Sequence, residues 1–156
     1  MTVIRKARFE DAEGLWQLRI DAINGQCRGH YSDAAMDLWT AGQCTQAFAD
    51  EVSKTFYLLE RGGSPLVCGA IIDGQIEGRF VSPRCSGQGL GKRILKHLEA
   101  VAREQGLTRL TLESTLNAAP FYRSQGYRGE QIARYQSPRG FALDCIPMEK
   151  LLLSPS

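Results

Sequence analysis

Phe80-Val81-Ser82-Pro83-Arg84-Cys85-Ser86-Gly87-Gln88-Gly89-Leu90-Gly91-Lys92 runs from the end of a short apolar strand into a long amphipathic helix. Three alternating glycines lie at the join. A glycine backbone turns tightly and lets a ligand come close, because no Cβ stands in the way. Several amide N–H groups can then face one small volume. The helix behind adds its own unpaired donors and the positive end of its dipole. The stretch reads as a cradle for a phosphate or pyrophosphate.

Spacing narrows the ligand. A P-loop needs four residues between its first glycine and a Gly-Lys pair, then Ser or Thr for magnesium. Here three residues separate Gly87 from Gly91, and Arg93 follows Lys92. A dinucleotide fingerprint needs G-x-G-x-x-G at the head of a repeated βαβ array. This loop reads G-x-G-x-G, and Asp73-Gly74 joins the strands before it as a hairpin. Glu113, at the end of the next strand, is the single point in that reading's favour, since it stands about where a ribose-binding acid would.

Outward from the loop, hydrophobic periodicity predicts strands over 3–7, 56–60, 66–72, 75–81, 107–113, 127–135 and 141–150. Helices are expected over 11–24, after the N-cap Ser32, over 45–51, from Leu90 to the C-cap Gly106, and over 118–125. On the Leu90 helix, Ile94, Leu95, Leu98 and Ala102 form the inner face, with Lys92, Arg93, Lys96 and Glu99 turned outward. The order is β-α-α-β-β-β-α-β-α-β-β, with hairpins flanking a single β-loop-α-β unit. That is an α+β fold with a mixed sheet. One domain over 1–150 with a loose tail over 151–156 is expected.

The chain has 156 residues, 43% hydrophobic and 23% charged, which suits a folded globular protein rather than a disordered one. A net charge of +2, with Lys and Arg scattered, argues against a nucleic-acid surface. Five widely spaced cysteines fit neither a disulfide framework nor a metal site. Reduced thiols, no signal-peptide core at Met1-Thr2-Val3-Ile4-Arg5 and no membrane-length apolar run point to a cytoplasmic protein without membrane partners.

The loop, after a strand ending in a Val-x-Pro turn, resembles the acetyl-CoA loop of the GNAT superfamily of N-acetyltransferases. That signature is Arg or Gln, two residues, Gly, one residue, then Gly or Ala. Gly89 and Gly91 match it; Ser86 stands where Arg or Gln is usual. Asn117-Ala118-Ala119-Pro120-Phe121-Tyr122-Arg123-Ser124-Gln125-Gly126-Tyr127 resembles the family's later segment, with its Asn, Phe-Tyr and Gly-aromatic landmarks. The element order matches over nearly the whole chain.

The resemblance implies acetyl-CoA as cosubstrate, no metal, and direct transfer of acetyl to a small-molecule or peptide amine through a ternary complex. The pyrophosphate would sit on the amides of Ser86, Gly87, Gln88, Gly89, Gly91 and Lys92. Backbone N–H near Phe80 and Val81 would hold the acetyl oxygen. Asn117 would bond the pantetheine arm, or cap the following helix. Tyr122 would return a proton to the departing thiolate. Glu77 is the acidic residue where relatives often carry a base, with Glu113 and His30 as alternatives. A CoA-binding sensor or partner-binding module without catalysis uses the same residues and stays open. So does a homodimer paired through the closing strands.

Overall fold

The computed structural model describes residues 2–138 and 140–152. One sheet of seven strands runs in the order β1-β2-β3-β4-β5-β7-β6. The strands are β1 (Thr2–Lys6), β2 (Phe56–Arg61), β3 (Ser64–Ile72), β4 (Gln75–Val81), β5 (Arg109–Ser114), β6 (Ala133–Gln136) and β7 (Ala142–Leu151). Helices α1 (Ala12–Gln26), α2 (Asp33–Thr40) and α3 (Gln46–Thr55) precede β2. Helix α4 (Leu90–Glu104) joins β4 to β5, and α5 (Ala119–Ser124) follows β5.

Neighbouring strands are antiparallel except β4 and β5, which are parallel. This pair is registered only at Gln75↔Thr111 and Ile76↔Leu112. Beyond Ile76 the two strands diverge. The β3–β4 register slips by one residue between Cys68↔Phe80 and Ala70↔Glu77, so β4 carries a bulge. Gly78 sits in it at φ +62°, and a Cβ there would stand 2.8 Å from the Phe56 ring. Both the backbone angle and the close ring require glycine. The hairpin before β4 turns on Asp73 and Gly74, both with positive φ, as the Asp-Gly pair predicts.

β3 is buried from Leu66 to Ala70, because helices cover both faces of the sheet. On one face Leu15 and Leu18 of α1 and Ala49 and Val52 of α3 pack on Leu58, Cys68 and Ala70. On the other, Leu95, Leu98 and Ala102 of α4 pack with Tyr122 of α5 on Ile76, Leu110, Leu112 and Met148. Ser32 caps α2 as expected, its Oγ accepting from Ala35 N–H at 3.2 Å.

Three expectations are corrected. Residues 127–132 do not join the closing strand; only Arg128 bridges to Glu149. Glu149 turns its N–H and C=O to that edge, so alternation turns Pro147 there too. Proline has no N–H to donate, and the ladder stops until Ala133↔Cys145. Second, the chain is not loose from 151: β7 runs through Leu151, and buried Leu152 donates its N–H to Thr108 O at 2.8 Å. Residues 153–156 of the expected tail lie outside the described residues.

Third, Glu99 is not turned outward; it is 1% exposed. Helical periodicity misplaces it because a charged side chain sits on the boundary of the apolar face. Tyr127 Oη donates to its carboxylate at 2.8 Å, and Lys150 Nζ reaches both oxygens at 3.1 and 3.2 Å. Lys150 also donates to Gln125 O at 2.8 Å. The triad ties α4, β7 and the end of α5 together. Burial, then the Glu99 charge, holds the Tyr127 phenol well above its ordinary range.

Removing one member of a buried charged pair strands the other, at a cost of about 3–5 kcal/mol. Lys150→Met is expected to lose about that much in urea unfolding. Lys96, half-exposed and 3.5 Å from Glu99, is expected to lose under ~1 kcal/mol as Lys96→Met.

Candidate active site

The divergence of β4 from β5 opens a cleft of about 570 Å³ through the sheet. Its walls come from α1 and the α1–α2 connector (Cys27, Tyr31), from β4 (Glu77, Arg79, Phe80), from β5 and the loop after it (Glu113, Asn117), from α5 (Tyr122) and from β7 (Asp144, Cys145). Tyr31 fixes the connector across the opening. Its hydroxyl donates to Asp144 O at 2.7 Å and accepts from Leu116 N–H at 3.0 Å. Trp39 packs edge-on against its ring.

Of the three expected bases, Glu77 and Glu113 line the cleft; His30 does not and is exposed. Desolvation pushes the Glu77 carboxyl above the usual carboxylate range, and the charges of Glu113, Glu51 and Asp73 push it further the same way. A carboxyl held up in this manner is easier to find protonated and a stronger proton acceptor once ionised.

The glycine loop lies against the end of β4. Pro83–Cys85 form a 3₁₀ turn capped by Ser82 Oγ, and α4 begins at Leu90. Gly87 and Gly89 take φ +80° and +75°, with nothing within 4 Å of where a Cβ would be. That open, left-handed backbone at the N-terminus of a 15-residue helix suits an anion. Gly91 differs: its φ is not left-handed, and a Cβ there would strike Arg79 Nη1 at 2.7 Å and Val81 Cγ2 at 3.2 Å. It is glycine for helix-to-strand packing. Ser86, Gln88 and Lys92 are exposed around the loop. Arg84 is exposed in the 3₁₀ turn and donates from Nε to Ser82 Oγ at 3.4 Å.

The two expected backbone donors on β4 are not equivalent. Ser82 N–H is given to Leu66 O at 2.8 Å, so strand alternation turns Val81 the other way, toward the divergence, and Phe80 toward β3. Gln26 Nε2 of α1 occupies the Val81 carbonyl at 3.0 Å. The Val81 N–H turns to the edge of β4 away from β3; the Phe80 ring packs between the two clusters on the α1 face.

Asn117 makes no side-chain cap on α5, whose N-cap position is Ala118. Its side chain lies against the Cys27 thiol, and its Oδ1 is buried without a hydrogen-bond partner. A buried amide oxygen left open beside a cleft fits a ligand amide N–H. Burial raises Cys27, with Asn117 and Thr115 opposing it. Burial and then Glu113 raise Cys145, whose Sγ lies 3.8 Å from Glu113 Oε2.

Tyr122 is 6% exposed, and its Oη accepts from Arg79 Nε at 2.7 Å. Among the described residues its O–H proton has no acceptor. Arg79 belongs to neither motif, and nothing local in the sequence marks it. Neither a cluster of potential metal ligands nor a helix long and apolar enough to cross a membrane occurs among the described residues.

Comparison with known proteins agrees with this geometry. The family described as "Acetyltransferase (GNAT) domain" matches residues 27–152. The IAA acetyltransferase of Azospirillum brasilense is 29% identical over 136 residues, covering 81% of this chain and 84% of that protein. A GCN5-related N-acetyltransferase from Rhodopseudomonas palustris superposes with a TM-score of 0.89 at 24% identity, covering 97% and 96% of the two chains. The PaiA N-acetyltransferase of Thermoplasma acidophilum, solved in complex with coenzyme A, superposes at 0.76 and 19% identity, covering 97% and 99%. A family match spanning the loop, the divergent strands and the Asn117–Tyr127 segment makes the chain a member of the GNAT acetyltransferase family.

Proposed function

We propose that the protein transfers acetyl from acetyl-CoA to the primary amine of a cationic acceptor, by direct attack within a ternary complex. The observation that carries this reading is a cleft lined by both a carboxyl with raised proton affinity, Glu77, and a phenol, Tyr122. An acyl transfer to an amine needs one group of each kind, since one proton must leave nitrogen and one must reach sulfur.

In this reading the loop amides around Gly87 and Gly89 hold the pyrophosphate, and Asn117 Oδ1 accepts from an amide of the pantetheine arm. Acetyl-CoA supplies the activated acyl group. Val81 N–H faces the acetyl oxygen, where negative charge develops. Glu77 takes the proton from the attacking amine, and Tyr122 gives one to the departing sulfur. The acceptor enters between Tyr31 and Glu77. Glu51, Glu77, Glu113 and Asp144 line that cleft against Arg19 and Arg79. Arg134 pairs with Asp144 at 3.2 Å, while Arg19 and Arg79 bond neutral groups and keep their charge. Four carboxylates against three guanidinium groups leave the balance negative, which favours an acceptor that arrives as an ammonium ion.

Thiol release across an amine panel tests the function. Diamines and other dicationic amines are expected to show KM values about tenfold or more below those of amino acids, whose carboxylates meet like charge. No release with any amine overturns the proposal. The pH dependence follows from the Glu77 shift. A base must be ionised to act, so kcat/KM falls as pH drops through a value above that of an ordinary glutamate, about 4.3. Glu113→Gln removes a charge that raises Glu77, so this acid limb is expected to move to lower pH. Restoring the family's usual residue as Ser86→Arg is expected to tighten acetyl-CoA binding about three- to tenfold by calorimetry.

A further inference from the structure

The wall of the cleft nearest α5 holds a guanidinium that neither motif contains. Arg79 lies on β4 just past Gly78 and is half-buried. Its guanidinium carbon stands 4.4 Å from the Phe121 ring centroid and 4.8 Å from that of Tyr122. Its Nε donates to Tyr122 Oη at 2.7 Å. Its Nη1 fills the space that a Cβ at position 91 would need. Among the described residues no carboxylate pairs with it. A half-buried arginine ordinarily finds a carboxylate. This one is aimed at a phenol oxygen instead, and Gly91 and the bulge leave room for it to do so.

We propose that Arg79 is a positioning residue for acetyl transfer, holding the Tyr122 phenol so that its O–H points at the departing sulfur. The inference rests on Tyr122 acting as the acid. A phenol oxygen that accepts from one side keeps its own proton for the other. When the C–N bond forms, the thioester C–S bond breaks and sulfur leaves with the electron pair. Sulfur takes the Tyr122 proton, which leaves a phenolate facing the guanidinium. The acceptor, which arrives as an ammonium ion, gives up one proton to solvent before it attacks, and the second, lost as the amide forms, rests on Glu77. Solvent then restores the one and removes the other, so the net products are an amide and a thiol. The positive charge is already in place where negative charge will appear, which is the arrangement that lowers a barrier without reorganisation.

A double-mutant cycle on the intact chain tests this, with acetyl-CoA and the best amine of the panel. Tyr122→Phe is expected to lower kcat about 10²-fold. Arg79→Gln is expected to lower it at least tenfold, with KM for acetyl-CoA within about twofold of the parent. The double variant is expected to turn over at the Tyr122→Phe rate, because the arginine acts through the hydroxyl. Equal losses from Arg79→Gln in both backgrounds would mark a structural role and overturn the inference. So would a rise in KM for acetyl-CoA with kcat unchanged. If Tyr122→Phe turns over like the parent while transfer itself persists, the acid assignment and the inference fall together. Arg79→Lys keeps a cation and a donor in the same slot. It enters the cycle if the glutamine variant loses its thermal transition, with a smaller loss expected that vanishes in the Tyr122→Phe background.

Discussion

Two register pairs hold β4 to β5, and nearly everything else about the site follows from there being no more. Parallel strands that stayed paired would seal the sheet and bury both edges. Here the pairing ends at Ile76↔Leu112, and the next residues of each strand, Glu77 and Glu113, face a common space. The Gly78 bulge turns β4 away, and the Phe56 ring packed against that glycine fixes the bend. The same divergence frees the Val81 backbone edge and admits Tyr122 from α5, and the chain beyond β4 turns through the glycine loop into α4. In the proposed function, one gap in the sheet serves the base, the acid and the backbone donor together.

The glycines that mark the loop serve two different physical needs. Gly87 and Gly89 provide left-handed backbone with empty space before it. Gly91 provides close packing, and the atom it makes room for is a nitrogen of Arg79. A spacing rule merges these roles. The structure separates them and connects Gly91 to Tyr122 through one guanidinium.

Most of the architecture was legible because period and punctuation agreed. The β4 bounds, the Asp73-Gly74 turn, the Ser32 cap and the start of α4 are all written in local sequence. What was not legible depends on partners distant in the chain. Nothing local to residues 127–132 says that Pro147 will lie across from them, and nothing on α4 says that Lys150 and Tyr127 will meet Glu99. The site divides the same way. The loop, Asn117, Tyr122 and Glu77 stand out through motifs. Arg79 reads as one more charged residue on a strand until its 2.7 Å bond to Tyr122 is seen. Likewise, alternation along β4 assigns the facing amide to Val81 only once the Ser82–Leu66 bond sets its phase.

The sulfur chemistry of the cleft wall bears on what leaves it. Acetyl transfer releases a free thiol into a space lined by Cys27 and Cys145. Exchange between thiols and disulfides runs through the thiolate, and a thiol held protonated neither attacks nor oxidises readily. Burial raises both of these cysteines, and the carboxylate of Glu113 adds to it at Cys145. Cys68, beneath the sheet, is pushed up to about 12. In the proposed function coenzyme A leaves past Cys27 and Cys145, and the packing that keeps them protonated disfavours a mixed disulfide with the product.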